Sequence, residues 1–299
     1  MTVTAPHHTS LVLPATAPFD FGHSLRFVRG FPPMAGEQST DGDVLTSVVR
    51  EAGQVLVVRV REDGAGDGVR CDLESAQPIT DEARAAVAHR CTAHLGLEDD
   101  LTEFYALGRQ DEAFRPVVER LYGYHQVRFP SPFELLCWAI LCQRIPMPVA
   151  RSMKQRLMAE FDNSALVDGR PLPAFPDLDQ LLTLSEARFA ELIGNARKAS
   201  YLFGAVRRWA ELDDSTLQTD DYDAVRDRLL SIPGIGPWSA TFLLIRGLGR
   251  TERMYPDKEA LRAAAAVYRR AVGEEEFTEL AARYGRWQGY WGHYLRVTA

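Results

Sequence analysis

The stretch Leu229-Leu230-Ser231-Ile232-Pro233-Gly234-Ile235-Gly236-Pro237-Trp238-Ser239-Ala240 decides the reading of this chain. Just upstream, Asp223-Ala-Val-Arg-Asp-Arg-Leu-Leu sets Val225, Leu229 and Leu230 on one stripe, the pattern of a helix packed on a core. Pro233-Gly234 ends that helix, because proline cannot continue it and glycine tolerates the positive φ of a tight turn. Pro237 suits the first position of a following helix, where its missing N–H is no loss. Along that helix Trp238, Thr241, Phe242, Ile245 and Leu248 recur at helical spacing. The stretch therefore predicts two helices joined by a four-residue turn.

Gly234 and Gly236 carry no side chain, so a ligand can come close to the backbone N–H groups around them. Those donors lie at a helix N-terminus, where the dipole favours an anion, and a phosphodiester is the natural guest. The predicted backbone-binding set is Gly234, Ile235, Gly236 and Ser239. An ordinary corner that holds nothing remains the other reading of the same residues.

The segment Ile232–Ala240 resembles the hairpin of the helix–hairpin–helix DNA glycosylase superfamily, most closely that of the bacterial 3-methyladenine DNA glycosylase II family. Ser131-Pro-Phe-Glu-Leu-Leu-Cys-Trp-Ala-Ile-Leu-Cys-Gln143 is similar to the family helix that ends in Gln beside the base-flipping wedge. Leu244-Ile-Arg-Gly-Leu-Gly249 and Tyr255-Pro-Asp257 are similar to the segment leading to the catalytic aspartate, and Gly194-Asn-Ala-Arg-Lys198 to a second hairpin segment. The likeness covers roughly residues 111–296, with a weaker echo at Phe19-Asp20-Phe21.

The resemblance implies an enzyme that hydrolyses the N-glycosidic bond of damaged, alkylated purine bases in double-stranded DNA. It implies Gln143 and Arg144 as the wedge that fills the gap left by a flipped base, and Trp238 and Phe242 as the base pocket. Arg144 is equally a solvated residue at a helix C-terminus, which suits the dipole. Cleavage builds positive charge on the sugar, so a carboxylate in a dry pocket stabilises the transition state. Asp257 is the candidate. Counted without gaps from Trp238, however, the family's catalytic aspartate falls on Lys258, one residue later. Three readings stay open: Asp257 serves after a one-residue adjustment of the loop, Lys258 acts chemically through a Schiff base, or the chain binds damaged DNA without cutting it. Asp257 also reads as the N-cap of a helix from Lys258 to Arg270, a role compatible with catalysis. A hairpin scaffold within a repair complex is a third function class.

The expected fold is mainly α with a small N-terminal antiparallel β-sheet (α+β). Residues 1–17 are expected to be a disordered tail, 18–110 a β-rich domain with a following helix, and 111–299 the helical glycosylase-like domain. Gln54–Arg61 is the clearest strand and Gly64-Ala-Gly-Asp-Gly68 the clearest turn, while Thr80-Asp-Glu-Ala opens the helical part. Helices are expected over 111–122, 131–145, 147–161, 185–193 and 196–212, and Gly169–Asp177, with three prolines, is the linker candidate. Phe19, Phe21, Leu25, Phe27 and Phe31 form an aromatic cluster read mostly as core.

Composition narrows the function classes. The 299 residues are 46% hydrophobic, and no apolar run approaches the roughly 20 residues of a membrane span. The first 17 residues lack the basic start and apolar run of a secretory signal, so an intracellular protein, cytoplasmic or at the nucleoid, is expected. Cys71, Cys91, Cys137 and Cys142 show no metal-ligand spacing, so no metal, cluster or other cofactor is expected. The net charge of −7 resides in residues 1–110, with 16 acidic and 9 basic side chains, while 111–299 carry 25 of each sign. That balance predicts modest DNA affinity from few phosphate contacts. The expected partner is double-stranded DNA with a damaged base, bound by a monomer without a membrane.

Overall fold

A computed structural model describes residues 6–298. Five antiparallel strands open the chain: β1 (His7–Pro14), β2 (Gln38–Asp41), β3 (Val44–Glu51), β4 (Gln54–Glu62) and β5 (Gly68–Ser75), in the spatial order β1-β5-β4-β3-β2. Helix α1 (Phe21–Arg29) lies between β1 and β2. The helical part continues through α2 (Asp81–Leu95), α3 (Thr102–Gln110), α4 (Arg115–Arg120), α5 (Pro132–Leu141) and α6 (Met147–Met158). A two-stranded hairpin, β6 (Ser164–Val167) and β7 (Arg170–Pro173), interrupts it. Then follow α7 (Leu178–Leu182), α8 (Glu186–Ile193), α9 (Ala196–Ala210), α10 (Asp214–Thr219) and α11 (Tyr222–Leu230). Next come α12 (Pro237–Leu243), a π-helical turn at Leu244–Leu248, α13 (Lys258–Tyr268), α14 (Glu274–Ala282) and α15 (Gln288–Thr298). The mainly α architecture with a small N-terminal antiparallel sheet is the expected one, and the β6–β7 ribbon adds to it.

Local chemistry accounts for most of these boundaries. Thr80 caps α2 by accepting from Ala83 N–H, and Ser131 caps α5 by accepting from Glu134 N–H, with Pro132 at its first position. Asp221 caps α11 through two N–H groups, and Asn195 caps α9. Gly194 ends α8 in the left-handed conformation.

Four expectations are corrected. Residues 1–5 of the expected tail lie outside the described residues, but 7–14 form β1, paired along its length with β5 from His7↔Ser75 to Pro14↔Gly68. Gly169–Asp177 is no linker: β7 pairs with β6 across Asp168-Gly169, both at positive φ, the requirement of a two-residue hairpin turn. The aromatic cluster within the β-rich segment is largely α1, whose buried Phe21, Leu25 and Val28 follow helical spacing. The helix expected over 111–122 is confined to α4 (Arg115–Arg120), because Asp111 ends α3 and its side chain accepts from Ala113 and Phe114 N–H in the turn between them.

Two cores organise the packing. One joins the inner face of the sheet, α2 to α4 and the C-terminal helices α13 to α15; the other joins α5 to α9, α11 and α12. The expected unit 111–299 is thus shared between both. Buried Lys154 of α6 bridges Glu134 of α5 (2.6 Å) and Glu37, on the loop before β2 (2.5 Å). No described helix is long and apolar enough to cross a membrane, and the described residues hold no cluster of metal-ligating side chains.

Candidate active site

The turn between α11 and α12 has the geometry its sequence requires. Gly234 sits at φ +84°, and a Cβ there would lie 2.9 Å from Cγ of Tyr201, so both conformation and space demand glycine. Gly236 is the N-cap of α12 in extended backbone, and a Cβ added to it would meet nothing within 4 Å. With no side-chain cap at this terminus, the first N–H groups of α12 face an open approach. Ile235 is buried and its N–H closes the turn on the Ile232 carbonyl, which removes it from the available donors. Ser239 is buried as well.

The wedge candidates are held against this turn. Gln143 donates from Nε2 to the Gly234 carbonyl at 2.7 Å, tying the end of α5 to the hairpin. Arg144 is exposed and adopts φ +54°, an unusual conformation for a side-chain-bearing residue. Lys198 is buried and donates to the Ile140 and Gln143 carbonyls at 2.9 and 2.8 Å, so it fixes the end of α5 rather than solvating a surface. Arg197 lies over the Tyr201 ring, its guanidinium 5.4 Å from the centroid.

A solvent-open pocket lies where the two cores meet. Trp238 and Phe242 from α12 form one wall, stacked with ring centroids 5.1 Å apart. Trp238 is 45% exposed, high for so large an apolar ring. Asp257, His293 and Arg296 line it beside them, with Gln126, Ile245, Arg246 and Met254 completing most of the lining.

Asp257 divides its carboxylate between two tasks. Oδ1 accepts from Ala260 N–H (2.8 Å) and caps α13, while Oδ2 accepts from Trp238 Nε1 (3.1 Å) and from Arg296 Nη2 (2.6 Å). Burial alone would raise its pKa, but the Arg296 charge and the three donors outweigh that and hold it below the ordinary aspartate value. The group is therefore a fixed anion at neutral pH. Lys258, one residue on, is exposed and does not line the pocket.

Several pocket residues escaped the sequence reading. Arg246, on the π-helical turn, is half-buried with its guanidinium 5.0 and 5.2 Å from the centroids of the stacked Phe27 and Phe31 rings, and donates to the Val127 carbonyl. Short π-helical turns are frequent at functional sites. His293 lies 2.9 Å from the Tyr124 hydroxyl, and burial, helped by the charges of Arg246 and Arg296, keeps its imidazole neutral. Arg296 and Gln126 stand 39 residues after and 131 before Asp257, and no local pattern links them.

No family model matches the chain. It is 28% identical over 229 residues to the DNA-3-methyladenine glycosylase of Bacillus subtilis, covering 75% of each chain. It is 26% identical over 302 residues to the bifunctional transcriptional activator/DNA repair enzyme AlkA of Mycobacterium tuberculosis, covering 97% of this chain but only 57% of that relative. Among solved structures it superposes on a 3-methyladenine DNA glycosylase of Archaeoglobus fulgidus with a TM-score of 0.74 at 22% identity, over 97% of both chains. A Clostridium acetobutylicum 8-oxoguanine glycosylase/lyase in complex with double-stranded DNA gives 0.69 at 18% identity, over 100% of this chain and 98% of that one. At these identities the structural likeness speaks to the fold.

Proposed function

We propose that this chain, which belongs to the helix–hairpin–helix DNA glycosylase superfamily, removes damaged bases from duplex DNA by hydrolysing the N-glycosidic bond of a base flipped out of the helix. One observation carries the reading: a carboxylate and an exposed indole share a hydrogen bond in one pocket, directly beside a glycine turn that opens a helix N-terminus.

The parts divide the work. The α12 N-terminus at Gly236 meets a phosphate of the strand. Gln143 and Arg144 enter the stack where the base has left. The flipped base slides against the Trp238–Phe242 stack, which attracts the electron-poor ring of an alkylated purine. As the bond breaks, positive charge grows on the deoxyribose and the Asp257 carboxylate stabilises it. A carboxylate held ionised by Arg296 is a weak proton acceptor, so its main effect is electrostatic, with orientation of the attacking water second.

Hydrolysis without strand cleavage follows from the lysines. The sequence has three. Lys154 is locked in an ion triad, Lys198 is bonded to two carbonyls, and Lys258 is exposed outside the pocket lining. None is offered to the sugar for a Schiff base. The test is release of 3-methyladenine and 7-methylguanine from methylated duplex DNA. Wild-type release that is lost in Asp257→Asn and kept in Lys258→Ala supports the reading. No release by wild type, with preferential binding to an abasic-site duplex, would favour a catalytically silent damage binder.

A further inference from the structure

Buried polar atoms in folded proteins nearly always have hydrogen-bond partners, so those without one ask for an explanation. Among the described residues five buried side-chain atoms lack a partner, and three belong to residues that line the candidate base pocket: Nε2 and Oε1 of Gln126 and Nε of Arg246. Gln126 is 0% exposed, so bulk solvent does not reach its amide. The backbone that carries the amide is held by its neighbours. The Gln126 backbone N–H donates to the Tyr290 hydroxyl at 3.1 Å, and Tyr290 is bonded to Asp99, which pairs with Arg128. The preceding His125 sets its ring nitrogens 2.6 and 2.9 Å from the Gly96 and Pro18 carbonyls.

We infer that Gln126, with Arg246 beside it, reads the hydrogen-bonding edge of the base that enters the pocket. The inference rests on the glycosylase reading for the identity of that base. A primary amide offers a donor next to an acceptor, and the Arg246 Nε–H adds a second donor. The complementary ligand is a purine with an amino group or ring N–H next to an unalkylated ring nitrogen or carbonyl on one edge. Stacking on Trp238 and Phe242 accepts any flat ring, whereas the Gln126 amide and Arg246 Nε disfavour a ring that leaves them unpaired. Met254, an unbranched and adaptable thioether, lies on the same lining.

The experiment titrates free 3-methyladenine and 1-methylindole, a fused ring without such an edge, into wild type and Gln126→Leu by calorimetry. Melting temperature and affinity for an abasic-site duplex are measured alongside. Wild type should prefer 3-methyladenine by about tenfold or more, and the leucine variant should lose that preference. The variant should also melt at the same or a higher temperature and bind the abasic duplex as wild type does, because the amide has no partner to lose in the free protein. Gln126→Met serves as the second variant should leucine overpack, with the same expectation. A wild type that binds both rings alike, or neither, overturns the inference, as does a variant that keeps the preference or melts well below wild type. Base preference without base release from methylated DNA would instead count against the glycosylase reading and leave this one standing.

Discussion

Gly234 and Gly236 are two residues apart, yet a side chain would meet different surroundings at each, and alanine at each separates fold from the proposed phosphate binding. At Gly234 an alanine must hold φ +84°, which costs about 1–2 kcal/mol for an L-residue. Its Cβ would stand 2.9 and 3.0 Å from Cγ and Cβ of Tyr201, atoms near the backbone that no rotamer change removes, adding about 1–3 kcal/mol of overpacking. Roughly 3 kcal/mol in a chain of this size is a fall of about 5 °C in Tm. At Gly236 the backbone is already extended and a Cβ meets nothing, so the change is confined to a glycine-to-alanine N-cap, about 1 kcal/mol or less. That same Cβ would stand in the open approach to the α12 amides, and duplex affinity should fall at least tenfold, about 1.4 kcal/mol. Differential scanning calorimetry and fluorescence anisotropy on a labelled abasic-site duplex, at one fixed salt concentration, read both quantities. If Gly236→Ala binds the duplex like wild type, phosphate does not dock at this helix terminus. If Gly234→Ala melts like wild type, the strain argument is wrong.

Three further predictions follow from the side chains. Asp257→Asn should lower the rate of base release by about a hundredfold or more while abasic-duplex binding changes little, whereas Lys258→Ala should release bases at the wild-type rate; equal losses in both would refute the assignment of roles. Because Arg296 and the N–H donors hold Asp257 below the ordinary aspartate range, the single-turnover rate should stay level as pH falls from 7 toward 5, and Arg296→Met should move the acid decline to higher pH. Burial, opposed by Lys154 and reinforced by the Glu134 charge, pushes Glu37 up to about 7. A carboxyl whose folded pKa exceeds its unfolded value stabilises fully below the unfolded value and loses that contribution as pH rises through the folded one. Wild-type Tm should therefore decline between about pH 5 and 8, and Glu37→Gln should flatten that decline; a parallel decline in both proteins would remove Glu37 as the cause.

What the sequence disclosed is what local chemistry controls. The α11–turn–α12 hairpin and the Ser131-Pro132 start of α5 were legible because glycine, proline and capping residues act within four positions. Strand β1 was not, since it is an edge strand with no fully buried residue and its partner β5 lies about 60 positions away. The β6–β7 hairpin hid behind Pro171 and Pro173, which a two-stranded ribbon tolerates because its outer edge needs no N–H donors. The pocket is the least local feature. Trp238 and Asp257 were found through motifs, but Arg296, Gln126 and Arg246 reach it from α15, the coil before α5 and the π-helical turn, and only the meeting of two cores brings them together.

The one-residue displacement between Asp257 and Lys258 has a physical reading as well. The segment from Gly249 to Pro256 is irregular backbone, which has no fixed rise per residue, so it absorbs a residue gained or lost without moving the helices on either side. What then selects the position of the carboxylate is the start of α13. Its first N–H groups need an acceptor, and the N-cap residue supplies it: Asp257 does so through Oδ1 to Ala260. A lysine side chain has three donors and no acceptor, so the chain cannot shift by one and cap α13 with Lys258. Once the cap is fixed, the second oxygen of the same carboxylate meets Trp238 and Arg296 on the pocket wall, at the positive end of an 11-residue helix dipole. Helix capping and the proposed stabilisation of a developing cation thus call for the same residue type at the same place, and they draw on different oxygens.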